Sequence, residues 1–586
     1  MNKYNEISNL KKIIKILLET DKKNIFIMSI DTIISSLIPA LSLTIMQSVL
    51  NKIQNDVDDF KYILMLLATY ILLDLFTVLK DNMIDIYNAK FKMILNRKIK
   101  IIILDKTSEL SLKDFEDSNI YDKIQRAQES GAESINTYVS IFFSISKNIL
   151  TILSYIYILI NFNVWLVLLI MIIPILEFMI MKAYNIENYH ININRTNDKR
   201  KLWYIEYMCT RENYFKEIKL NSMFFYLKEK YIKYISEFMH IDLNIIKKYK
   251  KYLILTGILE SIIDGLIYVY IVYCGFTKVI LIGNVITYTR SLTQIKSLIS
   301  LVLEDINDIK KMSLDLNLFF SFIEYNKNEK YNEKEVTVKS INSIEIENLN
   351  YRYDTNKELV LKNINLKLKP HSKNIIVGKN GSGKTTLLKI ILGFYDDYEG
   401  IIKINSINLK DIEKKSYMEC IGALFQDYVK YESSYFMNIA LGDISRINDK
   451  NRIDKLIKEF SIDNIINCKN DTINSQIGYW FNEGSQISEG QWQKIAIART
   501  FFKNASVFIL DEPNSALDVI TENDIEEEYM RYMDKKISII VIHRFKKIVE
   551  KDVNIIVMDK GKIVDEGKHN ELLDRCRIYR DLYENI

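Results

Sequence analysis

The pattern of apolar and polar positions divides the chain in two. In the first half, six mostly apolar runs stand out: Ile25–Leu50, Tyr62–Leu79, Ile141–Ile160, Val164–Met181, Tyr252–Cys274 and Val279–Leu303. Each is near the roughly 20 residues that a helix needs to cross about 30 Å of hydrocarbon, so six membrane-spanning helices are expected. The third and fourth are joined by only Asn161-Phe162-Asn163, a tight hairpin. The second-to-third and fourth-to-fifth connections are long and charged, and predict helices that run well beyond the bilayer. Their number, length and charge asymmetry argue against buried helices of a soluble protein. After about residue 340 the pattern changes to short apolar runs alternating with amphipathic stretches, as in a soluble α/β domain.

Lysine and arginine orient the spans. The connection from Lys80 to Ser140 holds Lys90, Lys92, Arg97, Lys98, Lys100, Lys106 and Lys113, whereas the 161–163 hairpin holds none. The positive-inside rule then places the long connections, and both termini, in the cytoplasm. Asp31, Asp74, Glu177, Glu260, Asp264, Lys147, Arg290 and Lys296 lie inside the spans. Charge in hydrocarbon is costly, so these residues are expected to pair, face a cavity, or sit at headgroup level near span ends. Pro39 and Pro174 fall inside apolar runs, where neighbouring membrane helices tolerate them.

A length of 586 residues is too great for one core. The net charge of +4 on 26% charged residues argues against a nucleic-acid partner held by bulk charge. Cys209, Cys274, Cys420, Cys468 and Cys576 show neither metal-ligand spacing nor a disulfide framework. The first 23 residues lack a signal-peptide cleavage pattern.

The chemistry is concentrated in the second half. Gly378-Lys379-Asn380-Gly381-Ser382-Gly383-Lys384-Thr385 follows the apolar run Ile375–Val377 and leads into a helical pattern from Thr386. This is a full P-loop between a strand and a helix. Its backbone N–H groups and the helix N-terminus suit phosphates. Lys384 reaches the β- and γ-phosphates of ATP, and the Thr385 hydroxyl suits Mg²⁺. Downstream, the strand-like Val507–Leu510 ends in Asp511-Glu512-Pro513, a Walker B pattern. There Asp511 serves the metal and Glu512 orients the attacking water.

Together with Gln426 in Phe425-Gln426-Asp427, Ile487-Ser488-Glu489-Gly490-Gln491, Asn514–Asp518, and His543 after the strand Ile537–Ile542, these pieces resemble the ATPase of an ABC transporter. The resemblance implies a nucleotide site of Tyr353, Gly378, Lys379, Asn380, Gly381, Ser382, Gly383, Lys384, Thr385 and Thr386. Ser488, Gly490 and Gln491 belong to the signature that faces ATP on a second subunit. Glu512, His543 and Gln426 take catalytic roles, and Thr385, Gln426 and Asp511 serve Mg²⁺. Tyr353 matches the aromatic that stacks on adenine. One departure stands out: Glu489 occupies a position where the family usually has glycine. A carboxylate there suits the helix dipole but repels a phosphate, so it is expected to point away.

Six spans ahead of one ATPase resemble an ABC exporter half-transporter: a membrane domain at 1–322, a linker at 323–343 and an ATPase at 344–586. Asp114–Asp122 and Arg211–Leu220 look like its two coupling regions. Trp203-Tyr204-Ile205, Phe215–Asn221, Phe425–Glu432 and Gln491–Ala496 resemble the lantibiotic exporters of the nisin type. That implies a homodimer in the cell membrane, exporting a peptide precursor with its leader and working beside modification enzymes and membrane lipids. No peptidase domain fits ahead of the first span, so the leader would be cut by another protein. A lipid or drug flippase of the same fold, and a non-transport regulatory or immunity ATPase, remain as alternatives.

Overall fold

In the computed structural model, apolar runs and charged connections merge into continuous long helices. Residues 3–55, 60–160, 162–325, 336–353, 358–515, 517, 519–542, 549 and 551–584 are described. The helices of the first half are α1 (Lys3–Thr20), α2 (Lys22–Gln54), α3 (Phe60–Ser108), α4 (Leu112–Glu116), α5 (Ser118–Ile160), α6 (Val164–Asn194), α7 (Thr196–Thr210), α8 (Glu212–Leu220), α9 (Phe224–Phe276) and α10 (Ile282–Ile323). Of these, α4 groups with the second unit: the chain divides into Met1–Leu110 with Asp117–Asn326, and Ser111–Glu116 with Lys327–Ile586.

Helix α3 has 49 residues and α9 has 53. At about 1.5 Å per residue each is more than twice as long as the hydrocarbon is thick, as the charged connections predicted. Asp21 starts α2 by accepting hydrogen bonds from the N–H groups of Lys23 and Asn24. Both α2 and α6 continue through their prolines. Five helices among the described residues are long and apolar enough to cross a membrane: Lys22–Gln54, Phe60–Ser108, Gly131–Ile160, Leu168–Asn192 and Phe224–Phe276. The sixth expected span does form a helix, α10, but falls short in hydropathy. Thr287, Arg290, Ser291, Thr293 and Lys296 dilute its apolar character. It packs against α2, α5, α6 and α9, so its buried face meets protein, and Thr287 and Ser291 lie on that face.

The most apolar stretch of α3, by contrast, buries nothing within the unit, and Ile71, Leu72, Leu75 and Leu79 stand exposed. In water such a surface is unfavourable, whereas in lipid it is ordinary. Half-buried charges find partners. Lys80 bridges Asp31 at 2.6 Å and donates to Ser35. Lys296 of α10 bridges Glu260 at 2.9 Å and Asp264 at 2.5 Å on α9. Asp74, Lys147 and Arg290 are exposed on their helices. The α5–α6 turn is pinned by the Phe162 ring, stacked on Tyr288 with centroids 4.5 Å apart. Asn161 lies outside the described residues.

The second unit is α/β. An antiparallel sheet runs in the order β2 (Leu361–Leu368), β1 (Ile344–Tyr351), β4 (Glu399–Ile404), β5 (Ile407–Asn408). A six-stranded sheet runs β10 (Lys562–Gly567), β9 (Asn554–Asp559), β3 (Lys373–Val377), β8 (Ile537–Val541), β7 (Val507–Asp511), β6 (Ile421–Leu424). Apart from the β9–β10 hairpin its pairings are parallel. Its strands β7 and β8 are buried throughout, because a parallel sheet is covered on both faces. Helices α11 (Lys384–Ile391), α12 (Lys414–Glu419), α13 (Tyr435–Ala440), α14 (Lys450–Glu459), α15 (Ile462–Lys469), α16 (Glu489–Phe502) and α17 (Val519–Tyr532) complete the layers that matter here.

The six residues Ser111–Glu116 belong to this unit through specific contacts. Leu112 packs on its core, and Lys113 bridges Asp397 at 2.8 Å. The buried Tyr395 hydroxyl donates to the Glu116 carboxylate, with oxygens at 2.9 and 3.0 Å. The other expected coupling segment forms α8, anchored by Ile218 against Ile205 and Leu227, with Phe215 and Leu220 exposed.

Candidate nucleotide-binding and catalytic site

The end of β3 and the start of α11 are separated by the glycine loop, whose path is set by close approach. A Cβ at Gly378 would lie 2.3 Å from the Met558 carbonyl oxygen. Gly383, at φ +100°, caps α11 in a conformation that side chains avoid. The loop encloses a cradle. Lys384, largely buried, folds its ammonium back onto the carbonyls of Gly378 (2.7 Å) and Lys379 (3.2 Å). The Ser382 hydroxyl is buried with no hydrogen-bond partner. An orphaned hydroxyl and an inward-turned ammonium at the start of a helix fit a phosphate chain. Burial pulls the Lys384 ammonium below its usual range, against the pull of Glu512 and Asp511.

Asp511 ends β7, 3% exposed. Burial first, and Glu512 beside it second, push its carboxyl up to about 6, opposed by a hydrogen bond from Thr385 and by Lys384. A hydroxyl and a carboxylate in contact form the hard-oxygen set that Mg²⁺ favours. Glu512 has φ +52°, a strained value for a residue with a Cβ. Its N–H donates to Val541 at 2.9 Å, and the amide of Gln426 donates to its carboxylate at 3.1 Å. Lys379, Asn380, Gly381 and Thr385 line the exposed lip of the loop. Thr386 is buried, and its hydroxyl pairs with that of Tyr353 at 3.1 Å. Tyr353 also meets Tyr351 and Tyr395 edge-on.

The signature begins α16. Ser488 and Gln491 form a reciprocal capping box. The Ser488 hydroxyl accepts from the Gln491 N–H at 3.3 Å, and the Gln491 side chain accepts from the Ser488 N–H at 2.8 Å. Glu489 turns its carboxylate onto Lys430, 2.5 Å away. His543, Ala516 and Asp518 lie outside the described residues.

Motif reading missed residues that join the motifs. Gln493, buried in α16, donates to the Glu512 carbonyl and the Ser515 hydroxyl, both at 3.3 Å, tying the signature helix to the end of β7. Arg499 of the same helix donates to the carbonyls of Asn438 (2.7 Å) and Val429 (2.9 Å). Gln493 stands between Trp492 and Lys494 and close to Gln491, so the sequence held no signal that set it apart.

Residues 361–515 match the family model of the ABC transporter. The chain is 33% identical to the subtilin transport ATP-binding protein SpaT of Bacillus subtilis, over 94% of this chain and 90% of that one. It is 30% identical to the nisin transport ATP-binding protein NisT of Lactococcus lactis subsp. lactis, over 98% and 95%. An ATP-dependent lipid A-core flippase of Coxiella burnetii is 32% identical, but over only 42% of this chain and 41% of that one. The fold is that of a bacterial Atm1-family ABC exporter solved with ATP bound, with a TM-score of 0.79 at 20% identity, covering 96% of this chain and 99% of that one. Apolar helices, a nucleotide cradle and relatives matched along nearly the whole chain lead to one conclusion: this membrane protein belongs to the ABC transporter family and couples ATP hydrolysis to transport.

Proposed function

We propose that the chain is one half of a homodimeric exporter that moves a leader-bearing lantibiotic-type peptide out across the cell membrane. The observation that carries this reading is the extent of its likeness. Peptide-transport relatives align over more than nine-tenths of the chain, membrane helices included, whereas the flippase aligns over 246 residues. In this reading the membrane is crossed several times, and the ATPase and both termini are cytoplasmic, which the lysine-rich extensions of the spans support.

Lys384, Ser382 and the loop N–H groups bind the phosphates, and Tyr353 meets the adenine. Thr385 and Asp511 hold Mg²⁺, with Gln426 reaching the same ion. Glu512, steadied by Gln426, orients and polarises the attacking water, and His543 contacts the γ-phosphate. Ser488, Gly490 and Gln491 face the nucleotide of the second subunit, so that closure of two copies completes each site. The segments Ser111–Glu116 and Arg211–Leu220 pass that closure to the spans. Glu177, Glu260 and Asp264 outnumber Lys296 where α6, α9 and α10 meet, which favours cationic peptide.

The test is ATP-driven uptake of a leader-bearing precursor into inside-out vesicles holding the purified protein. Uptake, with ATPase stimulation greater for precursor than for mature peptide, is expected. No uptake of any precursor, together with stimulation by lipid or small hydrophobic drugs, overturns the peptide reading in favour of a flippase.

A further inference from the structure

Glu489 is the first residue of α16, one position after the cap. A helix N-terminus attracts anions through its free N–H groups and its dipole. A carboxylate built onto that same turn competes with any phosphate brought to it. In this protein the competitor is held aside. The Lys430 ammonium sits 2.5 Å from the Glu489 carboxylate, and the Tyr428 hydroxyl donates to the Glu489 carbonyl at 3.0 Å. The segment that supplies Lys430 is itself fixed: Arg499 donates to the Val429 carbonyl and lies over the Tyr431 ring, 4.5 Å from its centroid. Lys430 is therefore carried on a strap that α16 grips at both ends, four residues after Gln426.

We propose that Lys430 is a positioning residue for ATP hydrolysis. It neutralises Glu489 and draws it off the α16 N-terminus, which keeps a signature containing a carboxylate able to meet a nucleotide phosphate. This rests on the two-subunit reading above, in which that N-terminus faces ATP on the second copy. Both side chains are well exposed, 39% and 66%, and exposed ion pairs add little to stability. The pair's effect thus belongs in turnover rather than in melting temperature.

The experiment is a double-mutant cycle on the full chain in liposomes, reading basal ATPase kcat and KM without peptide, at low and high NaCl. K430A is expected to lower kcat/KM about tenfold, with the loss shrinking as salt screens the freed carboxylate. K430R should retain most activity. E489G should change activity by less than about threefold, and K430A/E489G should return to the E489G level. Melting temperatures should agree across the set. Wild-type activity in K430A, or the same tenfold loss whether residue 489 is Glu or Gly, would overturn the assignment. Because no peptide is present, a protein that shows the coupling yet moves no peptide refutes only the cargo reading. A protein that moves peptide without the coupling refutes only this one.

Discussion

Asp511→Asn should stabilise the empty ATPase while crippling it. An aspartate free in water titrates near 3.8, and Asp511 at about 6, because it is almost wholly buried and has Glu512 next to it. At roughly 1.4 kcal/mol per pH unit, ionising it in the nucleotide-free fold costs up to about 3 kcal/mol. Asparagine removes the charge and keeps an acceptor for Thr385, so a gain of about 1–3 kcal/mol is expected at pH 7.5. For a domain of this size that raises the melting temperature by roughly 3–8 °C. The sign follows from proton binding. With the folded value raised, the native state holds its proton more tightly than the unfolded chain. The cost is therefore complete above about pH 6 and fades as pH falls toward 4. The Asn variant's advantage should shrink along the same interval. Scanning fluorimetry in EDTA across that range measures it, with the buried Trp492 reporting on this unit. Adding Mg²⁺ and ATP should invert the order, since only the carboxylate binds the cation well. An Asn variant that melts below wild type at pH 7.5 in EDTA, or a difference that does not change with pH, would refute the reasoning.

Glu512→Gln should keep ATP binding and lower phosphate release by a factor of about 10²–10⁴, the usual worth of a positioned base; wild-type turnover would remove Glu512 from the catalytic role. Lys384→Ala should weaken ATP binding at least about tenfold, or ~1.4 kcal/mol, by titration with a fluorescent analogue. Gly378→Ala places a methyl 2.3 Å from the Met558 carbonyl, a backbone clash that should cost about 1–3 kcal/mol and lower both melting temperature and ATP affinity. Tyr395→Phe removes the donor to Glu116, worth about 1.5–3 kcal/mol for a bond to a charged group; basal ATPase activity should persist while stimulation by peptide is lost.

The long helices were legible because apolar run length and flanking lysines are one-dimensional signals. The sixth span was the least well read: one face of α10 packs on α2, α5, α6 and α9, and where a helix meets protein it can carry residues such as the buried Thr287 and Ser291 that a lipid-facing surface disfavours. The P-loop and the end of β7 were legible because phosphate and metal chemistry demands particular residues at particular spacings. The expectation that Glu489 turns aside was a deduction from charge repulsion, and Lys430 beside it supplies the cause, from 59 residues away in the chain.

The sequence by itself determined which segments favour lipid, that a glycine loop joins β3 to α11 and which carboxylates stand at the strand end, since each depends on neighbours in the chain. Tertiary structure alone decided that Gln493 ties the signature helix to Glu512, that Tyr395 holds Glu116, and that Lys296 lies between Glu260 and Asp264. These contacts join residues on different elements, and any polar side chain of suitable reach could have served. Only the packing of β7 against α16, and of α10 against α9, selects the partners, so no local pattern could have announced them.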